Sequence, residues 1–592
     1  VDLSGRPGRV ERLPDDLVNK IAAGEVVERP ASVAKELVEN ALDAGAHNVS
    51  VEIEGGGKSL LRVRDDGCGM GREDAVSALE RHATSKLRTL EDLTAIASHG
   101  FRGEALPSIA SVSHLLLRTR DDSDAAGTEI EIRHGRRLHV KDAGHPRGTT
   151  VEVRDLFGAV PARRKFLRAD STETGHVAEA VSLLALARPR TGFVLTSGGR
   201  NLLRAPAADG LAARVYQVFG GAFLESLLPC QGGEAWVRVA GLVSRPDRSA
   251  APRASLRLFV NGRAVRDRAL SKAVTEAYRS AGAGQARPEA ILFVEVPLHL
   301  VDVNVHPAKS EVRFADPRTV WVAVEQAVEQ ALASGSQGPA TRADTSRVRE
   351  AAEAYLAAAP RESGAEQAGI AWLETPPQPS SGGGEAPAQG DREPREPARV
   401  VGQHRNTYIV AAEGEDLVLV DQHTAHERVR FELLAGQLGG RAVESQALLA
   451  PAVLQLPPRL LPVLEAHVDD LLGLGFDVEA FGGGSVRLRA VPALLGVMDP
   501  ARALERLLGD FLDRDAADWA VSSDRDRLAA TLACHSAVRA GQALASESMS
   551  AILRDLARTR HPTLCPHGRP TSVRVPRDEI ARWFGRSGWK RR

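Results

Sequence analysis

From Ser334 to Ala398 the sequence loses almost every large apolar side chain and reads GSQGPATRADTS, then ETPPQPSSGGGEAPAQGDREPREPA. Such a run of Pro, Gly, Ser and acid cannot bury enough surface to offset the entropy of ordering it. It is expected to be a flexible linker, with a transient helix at most between Val348 and Ala359. Long segments with apolar periodicity lie on both sides, so the chain cannot be built around one core. Its 592 residues agree, since a single hydrophobic core stops growing well below that length. Three or four domains are expected.

The hydrophobic share of 43% and charged share of 26% suit a soluble protein. A formal net charge of −1 gives no global sign of nucleic acid, so any DNA contact must come from local basic stripes. Four cysteines are too few to staple a chain this long, no run of about 18 apolar residues suggests a membrane span, and no signal-peptide core is visible. A cytoplasmic location without membrane attachment is expected. Before the linker, amphipathic helical patterns alternate with short Val/Ile-rich strands, an α+β signature. A new strand run, WVRVAGLV, follows Ala213, and TYIVAA and DLVLVD follow the linker. The expected domains are 1–212, 213–333, the linker 334–398, and 399–592.

The segment GGGKS (55–59) resembles a phosphate-binding P-loop, but the glycine that motif requires at position 52 is Glu52. It lies between the alternating runs VSVEI and LLRVR, which makes it a hairpin turn. A better candidate is PASVAKELVENALDAGA. Pro30 suits a helix start and Gly45 its stop, and Val33, Leu37, Val38, Ala41 and Leu42 form one apolar stripe. Glu36, Asn40 and Asp43 fall at i, i+4 and i+7 on another face. Taken alone, that could be an ordinary solvated face. However, LLRVR runs directly into Asp65-Asp66-Gly67-Cys68-Gly69-Met70, a turn of acids and glycines where backbone can approach a ligand. Beyond it come RHATSK (81–86), SHGFRGEAL (98–106) and RGTTVEVRDLF (147–157). A glycine-bracketed loop before a helix offers N–H groups and a positive helix end to phosphates.

These elements resemble the N-box, DxGxG, glycine-rich lid and GTT motifs of the GHKL ATPases. The wording IAAGEVVERPASVAKELVEN, RHATSK and GFRGEAL is similar to the MutL family of DNA mismatch repair proteins. The resemblance implies a GHKL (Bergerat) α/β-sandwich ATPase domain, a ribosomal-S5-like second domain and an α+β C-terminal dimerisation and endonuclease domain. It also implies roles for individual residues. Glu36 would be the general base for the attacking water, and Asn40 a Mg²⁺ ligand beside ATP. Asp65 would accept from the adenine amino group, supported by Thr150. Asp43, Ala44, Gly69, Thr84, Ser85, Lys86, Gly100, Phe101, Arg102, Gly103, Glu104, Ala105 and Leu106 would line the nucleotide and its lid. Asp66 stands where many relatives carry Asn, so it is expected to point outward or to be paired. In LHLVDVNVHPAKSEVRF the resemblance makes Lys309 a sensor of the γ-phosphate.

Arg163, Arg164, Lys165 and Arg168 on PARRKFLR, with Arg263, Arg266 and Arg268 on RLFVNGRAVRDRAL, form a candidate sequence-independent DNA stripe. A run of charge can equally be a solvated face. After the linker, DQHTAHERVRFE places His423 and Glu427 at i and i+4, and ACHSAV and CPHGRP add thiols and imidazoles. A donor set this mixed suits Zn²⁺, with Mn²⁺ an alternative. DQHTAHERVRFE resembles the DQHAxxERxxYE motif of nicking MutL proteins, departing at Thr424 and Phe431. By that resemblance Asp421, His423, Glu427, Cys534, Cys565 and His567 carry the metal, with Asp421 and Glu427 catalytic. In SQALLAP, Gln446, Leu448, Leu449 and Pro451 resemble the peptide such proteins offer to the β sliding clamp. The implied function is an ATP-gated homodimeric DNA clamp that couples mismatch recognition by MutS to nicking. A non-catalytic matchmaker, whose C-terminal domain only dimerises and recruits other nucleases, is the alternative.

Overall fold

The computed structural model describes residues 27–81, 83–84, 103–245, 250–281, 287–302, 312–336, 398–438, 443–482, 484–495, 499–513, 523–539 and 541–583. Within them the alternating sequences become strands. In β1 (Asn48–Glu54), Val49, Val51 and Ile53 are buried while Asn48, Ser50 and Glu54 face water. β1 pairs antiparallel with β2 (Leu60–Asp65) across the short turn Gly55–Gly57, so the GGGKS stretch is the hairpin its flanks required. β3 (His114–Arg120), β4 (Gly127–Arg133), β5 (Arg136–Ala143), β6 (Gly148–Arg154), β7 (Gly192–Ser197) and β8 (Arg200–Ala205) complete a sheet ordered β5-β4-β3-β6-β2-β1-β7-β8. The β1–β7 pair is parallel. Helices α1 (Pro30–Asp43) and α2 (Asp170–Ala187) pack against each other, and their buried side chains share one core with the sheet.

The second sheet is ordered β12-β11-β13-β10-β9, from β9 (Leu227–Glu234), β10 (Val237–Ser244), β11 (Ala250–Val260), β12 (Arg263–Val265) and β13 (Arg287–Glu295). Helices α3 (Arg268–Ser280) and α4 (Pro317–Ser336) cover it and close a core of their own around Tyr278, Leu292 and Val324. A small ladder pairs β14 (Val301–Asp302) with β15 (Arg313–Phe314). The boundary expected near Ala213 falls inside the helix Leu211–Phe219, whose Val215, Val218 and Phe219 belong to the first core. α4 runs to Ser336, and the linker residues 337–397 lie outside the described residues.

The C-terminal part holds two cores. β16 (Arg399–His404), β17 (Tyr408–Glu413) and β18 (Asp416–Asp421) form a meander that β22 (Ser572–Val575) joins. It packs on α5 (Gln422–Leu438) and α9 (Ser546–Arg558) through Ile409, Val420, Val429 and Ile552. The other unit has β19 (Ser445–Gln455), β20 (Asp477–Gly482) and β21 (Ser485–Pro492), with α6 (Leu461–Ala466), α7 (Pro500–Asp513) and α8 (Asp524–Ser536). Its core, around Leu460, Leu464, Leu508 and Leu512, is continuous with the core under the first sheet. The post-linker segment is therefore not isolated from the first layer. The reason lies in α2, which buries Thr174, Gly175, Val177, Ala178, Val181, Leu184, Ala185 and Leu186. With buried residues on several of its faces, this helix needs cover from more than one side. Among the described residues no helix is long and apolar enough to cross a membrane, and all four cysteines are free thiols.

Candidate nucleotide pocket and candidate metal centre

α1 begins with Pro30 in its first turn and ends where Gly45, at φ +72°, lets the chain reverse. Val33, Leu37, Val38 and Ala41 are buried against the sheet, as the apolar stripe requires. Glu36, Asn40 and Asp43 are half-buried on the adjoining face. The carbonyl of Ala44 accepts from the N–H of Cys68 at 2.9 Å, which ties the end of this helix to the acid–glycine turn after β2.

Asp65 ends β2 opposite Thr149 and is buried, with Oδ1 accepting from Gly67 N–H at 2.9 Å. Burial pushes its carboxyl above the usual range, against the opposing N–H groups of Gly67 and Thr149, and the neighbouring Asp66 charge adds to the rise. Asp66 turns outward. Its Oδ1 accepts from the backbone of His47 and Asn48 at 2.7 and 2.8 Å, and its Oδ2 from the Asn48 amide at 2.8 Å. The extra carboxylate is thus both exposed and paired. The turn is pinned from the other side by Thr119, whose hydroxyl takes the Met70 N–H at 2.9 Å and lies 3.0 Å from the Thr149 hydroxyl. Thr150 is 2.9 Å from His145 Nε2. At Gly69, φ is +71° and a Cβ would lie 1.9 Å from the Arg120 carbonyl oxygen, so only glycine fits.

Gly103, at φ +62°, sits where a Cβ would be 2.4 Å from the carbonyl oxygen of Ala83, so the lid sequence and RHATSK meet backbone to backbone beside Thr84. Glu104 precedes the short helix that starts with Ala105 and Leu106. Ser85, Lys86, Gly100, Phe101, Arg102 and Lys309 lie outside the described residues.

The basic residues divide. Arg164, Lys165, Arg266 and Arg268 are exposed, Arg164 at 2.9 Å from Asp155. Arg163 is half-buried near the Phe157 ring. Arg263 corrects the sequence expectation: it is buried, so it does not offer its charge to DNA in this structure. Burial is the main influence on its guanidinium, which feels the carboxylates of Glu39, Asp43 and Glu36 on α1. Its strand, β12, lies at the edge of the second sheet and packs against α2 rather than facing open solvent. Arg168 points toward the C-terminal part, donating to the Leu512 carbonyl at 3.4 Å.

In the C-terminal part, Asp421 ends β18 and caps α5: its Oδ1 accepts from the N–H groups of His423 at 2.9 Å and Thr424 at 3.1 Å. One turn on, Glu427 is buried, with Oε1 2.5 Å from His567 Nδ1. Ligand atoms of Glu427, Cys565 and His567 lie within 4.8 Å of one another. Burial pushes the Glu427 carboxyl up, but the hydrogen bond and charge of His567, with His423, bring it below its usual range. Burial and the Glu427 charge push the Cys565 thiol up. A buried carboxylate, thiol and imidazole converging in this way fit a divalent metal.

Cys534, on α8, has its Sγ 3.8 Å from His423 Nε2 and is not among the three converging residues. His423 Nδ1 meets the Val538 carbonyl at 2.9 Å, which directs Nε2 inward. The sequence reading missed His426, which takes the N–H of the same Val538 on Nδ1 at 3.0 Å and Arg430 Nε on Nε2 at 3.2 Å. Burial and the charge of Arg430 hold it down at about 4, so it is neutral. Its position at i+3 from His423 was the available signal. Together the two rings grip Val538 by both backbone groups and fix the loop behind Cys534. Asp421 lies outside the Glu427, Cys565 and His567 trio.

Gln446, Leu448, Leu449 and Pro451 lie on β19, where the pairing with β21 shifts between Ala447 and Ala452. That irregularity leaves Gln446, Leu449 and Pro451 exposed, while Leu448 packs partly on the core.

Three family models match successive segments: histidine kinase-, DNA gyrase B- and HSP90-like ATPases over residues 28–143, the C-terminal domain of the DNA mismatch repair protein over 215–333, and the MutL C-terminal dimerisation domain over 401–544. The DNA mismatch repair protein MutL of Anaeromyxobacter sp. (strain K) is 47% identical over 607 residues, covering 98% of this chain and 100% of its own. The corresponding protein of Geobacter sulfurreducens is 43% identical over 608 residues with the same coverage. The solved Aquifex aeolicus MutL ATPase domain complexed with ADP is 33% identical, covering 46% of this chain and 93% of its own, at a TM-score of 0.35.

Proposed function

The chain belongs to the family of the DNA mismatch repair protein MutL, and from that premise we propose that it acts as an ATP-gated homodimeric DNA clamp coupling recognition by MutS to metal-dependent nicking. It carries a GHKL-type ATPase domain and a MutL C-terminal dimerisation domain. The proposed division is an ATPase domain at 1–212, an S5-like transducer at 213–333, a flexible linker at 334–398 and a dimerisation and endonuclease domain at 399–592.

In the ATPase domain, Glu36 orients the attacking water and takes its proton. Asn40 supplies an oxygen donor to Mg²⁺. Asp65, anchored by Gly67 and Thr149, accepts from the adenine amino group, with Thr150 behind it. Ser85, Lys86 and the lid residues Gly100 to Leu106 line the phosphates, and Lys309 reports the γ-phosphate to the second domain. Arg163, Arg164, Lys165, Arg266 and Arg268 face the DNA backbone. Gln446, Leu448, Leu449 and Pro451 engage the β sliding clamp.

In the C-terminal domain Glu427, Cys565 and His567 hold Zn²⁺ or Mn²⁺, with His423 and Cys534 on the opposite wall. A metal held there would supply Lewis acidity and charge stabilisation for phosphodiester hydrolysis. His426 keeps His423 in the tautomer that turns Nε2 inward, and Asp421, which also caps the first turn of α5, is with Glu427 a catalytic carboxylate. The convergence of Glu427, Cys565 and His567 is the observation that carries the nuclease reading over the matchmaker one.

The test is nicking of supercoiled plasmid with Mn²⁺ and clamp, comparing wild type, Cys565→Ser, Asp421→Asn and Glu36→Ala. The nuclease reading expects Cys565→Ser and Asp421→Asn to lose nicking and keep ATPase activity, and Glu36→Ala to lose turnover. Wild-type protein that never nicks would return the chain to the matchmaker reading.

A further inference from the structure

We propose that α2 is an intramolecular docking face on which the segment 443–535 of the same chain seats, through a charge-keyed joint that ties the nucleotide layer to the metal wall. The first observation is a gap. Gly175 lies in the middle of α2 and is buried, yet a Cβ there would stand 2.8 Å from the Arg459 carbonyl oxygen and 3.0 Å from Leu512 Cδ1. A glycine inside a helix is unfavourable unless something must approach the backbone closely. What approaches here is the loop before α6 and the end of α7. Gly220, whose φ of +83° between two helices already favours glycine, also lies close to this segment, its Cβ position 2.9 Å from the Gln455 side chain.

The second observation is charge. Arg459 Nε lies 3.7 Å from Glu179 on α2, and its Nη1 lies 3.0 Å from Asp513 at the end of α7. At the rim, Arg200 after β7 pairs with Glu465 on α6 at 3.0 Å. Beneath them Arg257 of β11 is buried, stacked 4.4 Å from the Phe219 ring centroid. The charges it feels come from Glu179, Arg459, Glu289 and Glu505, so all three layers meet around it. Only Arg257 is buried, while the Arg459 pairs are part-exposed and the Arg200–Glu465 pair is exposed, so these contacts add little net stability and serve to select one register. Such a joint is specific and breakable, unlike a continuous apolar core.

The joint leads somewhere at each end. α2 packs on α1, which carries Glu36 and Asn40. α7 carries Asp510, whose Oδ2 lies 2.8 Å from His535 Nε2, both side chains about nine-tenths buried. His535 follows Cys534, which faces His423. Docking therefore places nucleotide helix and metal wall in one packed run. That consequence rests on the function proposed above, whereas the docking itself does not.

The test uses the full-length chain carrying Arg200→Cys and Glu465→Cys, a short bismaleimide and peptide mapping of the 200–465 crosslink. Gly175→Leu is the wedge: it raises helix propensity in α2, and the nearest atoms its Cβ meets belong to the docked segment. We expect crosslink yield to fall at least tenfold with Gly175→Leu or Glu179→Arg, with basal ATPase activity retained in the wedge. Unchanged yield in the wedge overturns the docking, and so does a 200–465 crosslink formed between two chains each carrying one cysteine. If the wedge abolishes the crosslink but leaves ATP-stimulated nicking at the parent level, docking stands and the coupling is wrong. If no variant or parent nicks at all, the nuclease reading fails while the crosslink result still decides docking.

Discussion

Replacing Gly69 with alanine tests whether the nucleotide turn is built on backbone contact, and Gly45→Ala supplies its own control. Both glycines sit at nearly the same backbone angle, φ +71° and +72°. A Cβ at Gly45 meets nothing within 4 Å, while at Gly69 it would stand 1.9 Å from the Arg120 carbonyl oxygen and 2.5 Å from its carbon. The left-handed conformation costs an L-residue about 1–2 kcal/mol, offset by about 0.4–1 kcal/mol of lost freedom in the unfolded chain. Gly45→Ala should therefore destabilise by about 1 kcal/mol. Gly69→Ala carries the same cost and must also open more than an ångström between the turn and β3. β3 is held by β4 on one side and β6 on the other, so it cannot yield. Overpacking of this kind costs about 1–3 kcal/mol. The difference of about 2 kcal/mol converts to roughly 4–8 °C in melting midpoint for a domain of this size. Because the same turn carries Asp65, a shift of about 1 Å should also weaken a nucleotide analogue by roughly 100-fold. Differential scanning fluorimetry with and without the analogue, and a direct binding titration, read both effects. Equal melting points for the two variants within 1 °C, with equal affinity, would falsify the argument.

Four further outcomes are expected. Asp66→Ala removes three hydrogen bonds to His47 and Asn48 and should cost about 1–2 kcal/mol in denaturant titration while leaving ATP affinity unchanged; a loss of affinity would place Asp66 in the pocket. Burial holds His176 down at about 4, with nearby arginines adding to it. The folded state thus stays neutral where the unfolded state gains a proton, and the melting point should fall as pH drops from about 6.5 to 4; His176→Gln should flatten that slope, and an equal slope counts against the assignment. His426→Ala frees Val538 and should lower metal affinity by about 10–100-fold in competition with a chromogenic chelator; full affinity would make His426 merely a core histidine. Removing Arg266 or Arg268 should weaken DNA binding uniformly across sequences and reduce the salt slope by about 1 each. The same change at Arg263 should leave the slope alone.

Several assignments were legible because the signal is local. The hairpin at Gly55–Gly57 follows from alternation and glycine, and α1 from its stripe and its Pro and Gly ends. The placement of Glu427 one helical turn after His423 follows from their i, i+4 spacing, and the outward, paired Asp66 from the cost of burying a lone charge. Positions fixed by approach across the fold were not legible. Arg263 has the composition of a surface stripe, and only the packing of β12 against α2 buries it, within reach of the α1 carboxylates. Nothing next to His426 in the sequence announces Val538, which lies more than a hundred residues away. The linker suggested a free C-terminal unit, yet α2 is buried on several faces and is covered by more than the first sheet. Which partner covers it was decided by where Gly175 leaves room for Arg459 and Leu512. Sequence periodicity specifies what each element must bury. The identity of the surface that buries it depends on shape and charge matching between distant segments, which only the assembled fold supplies.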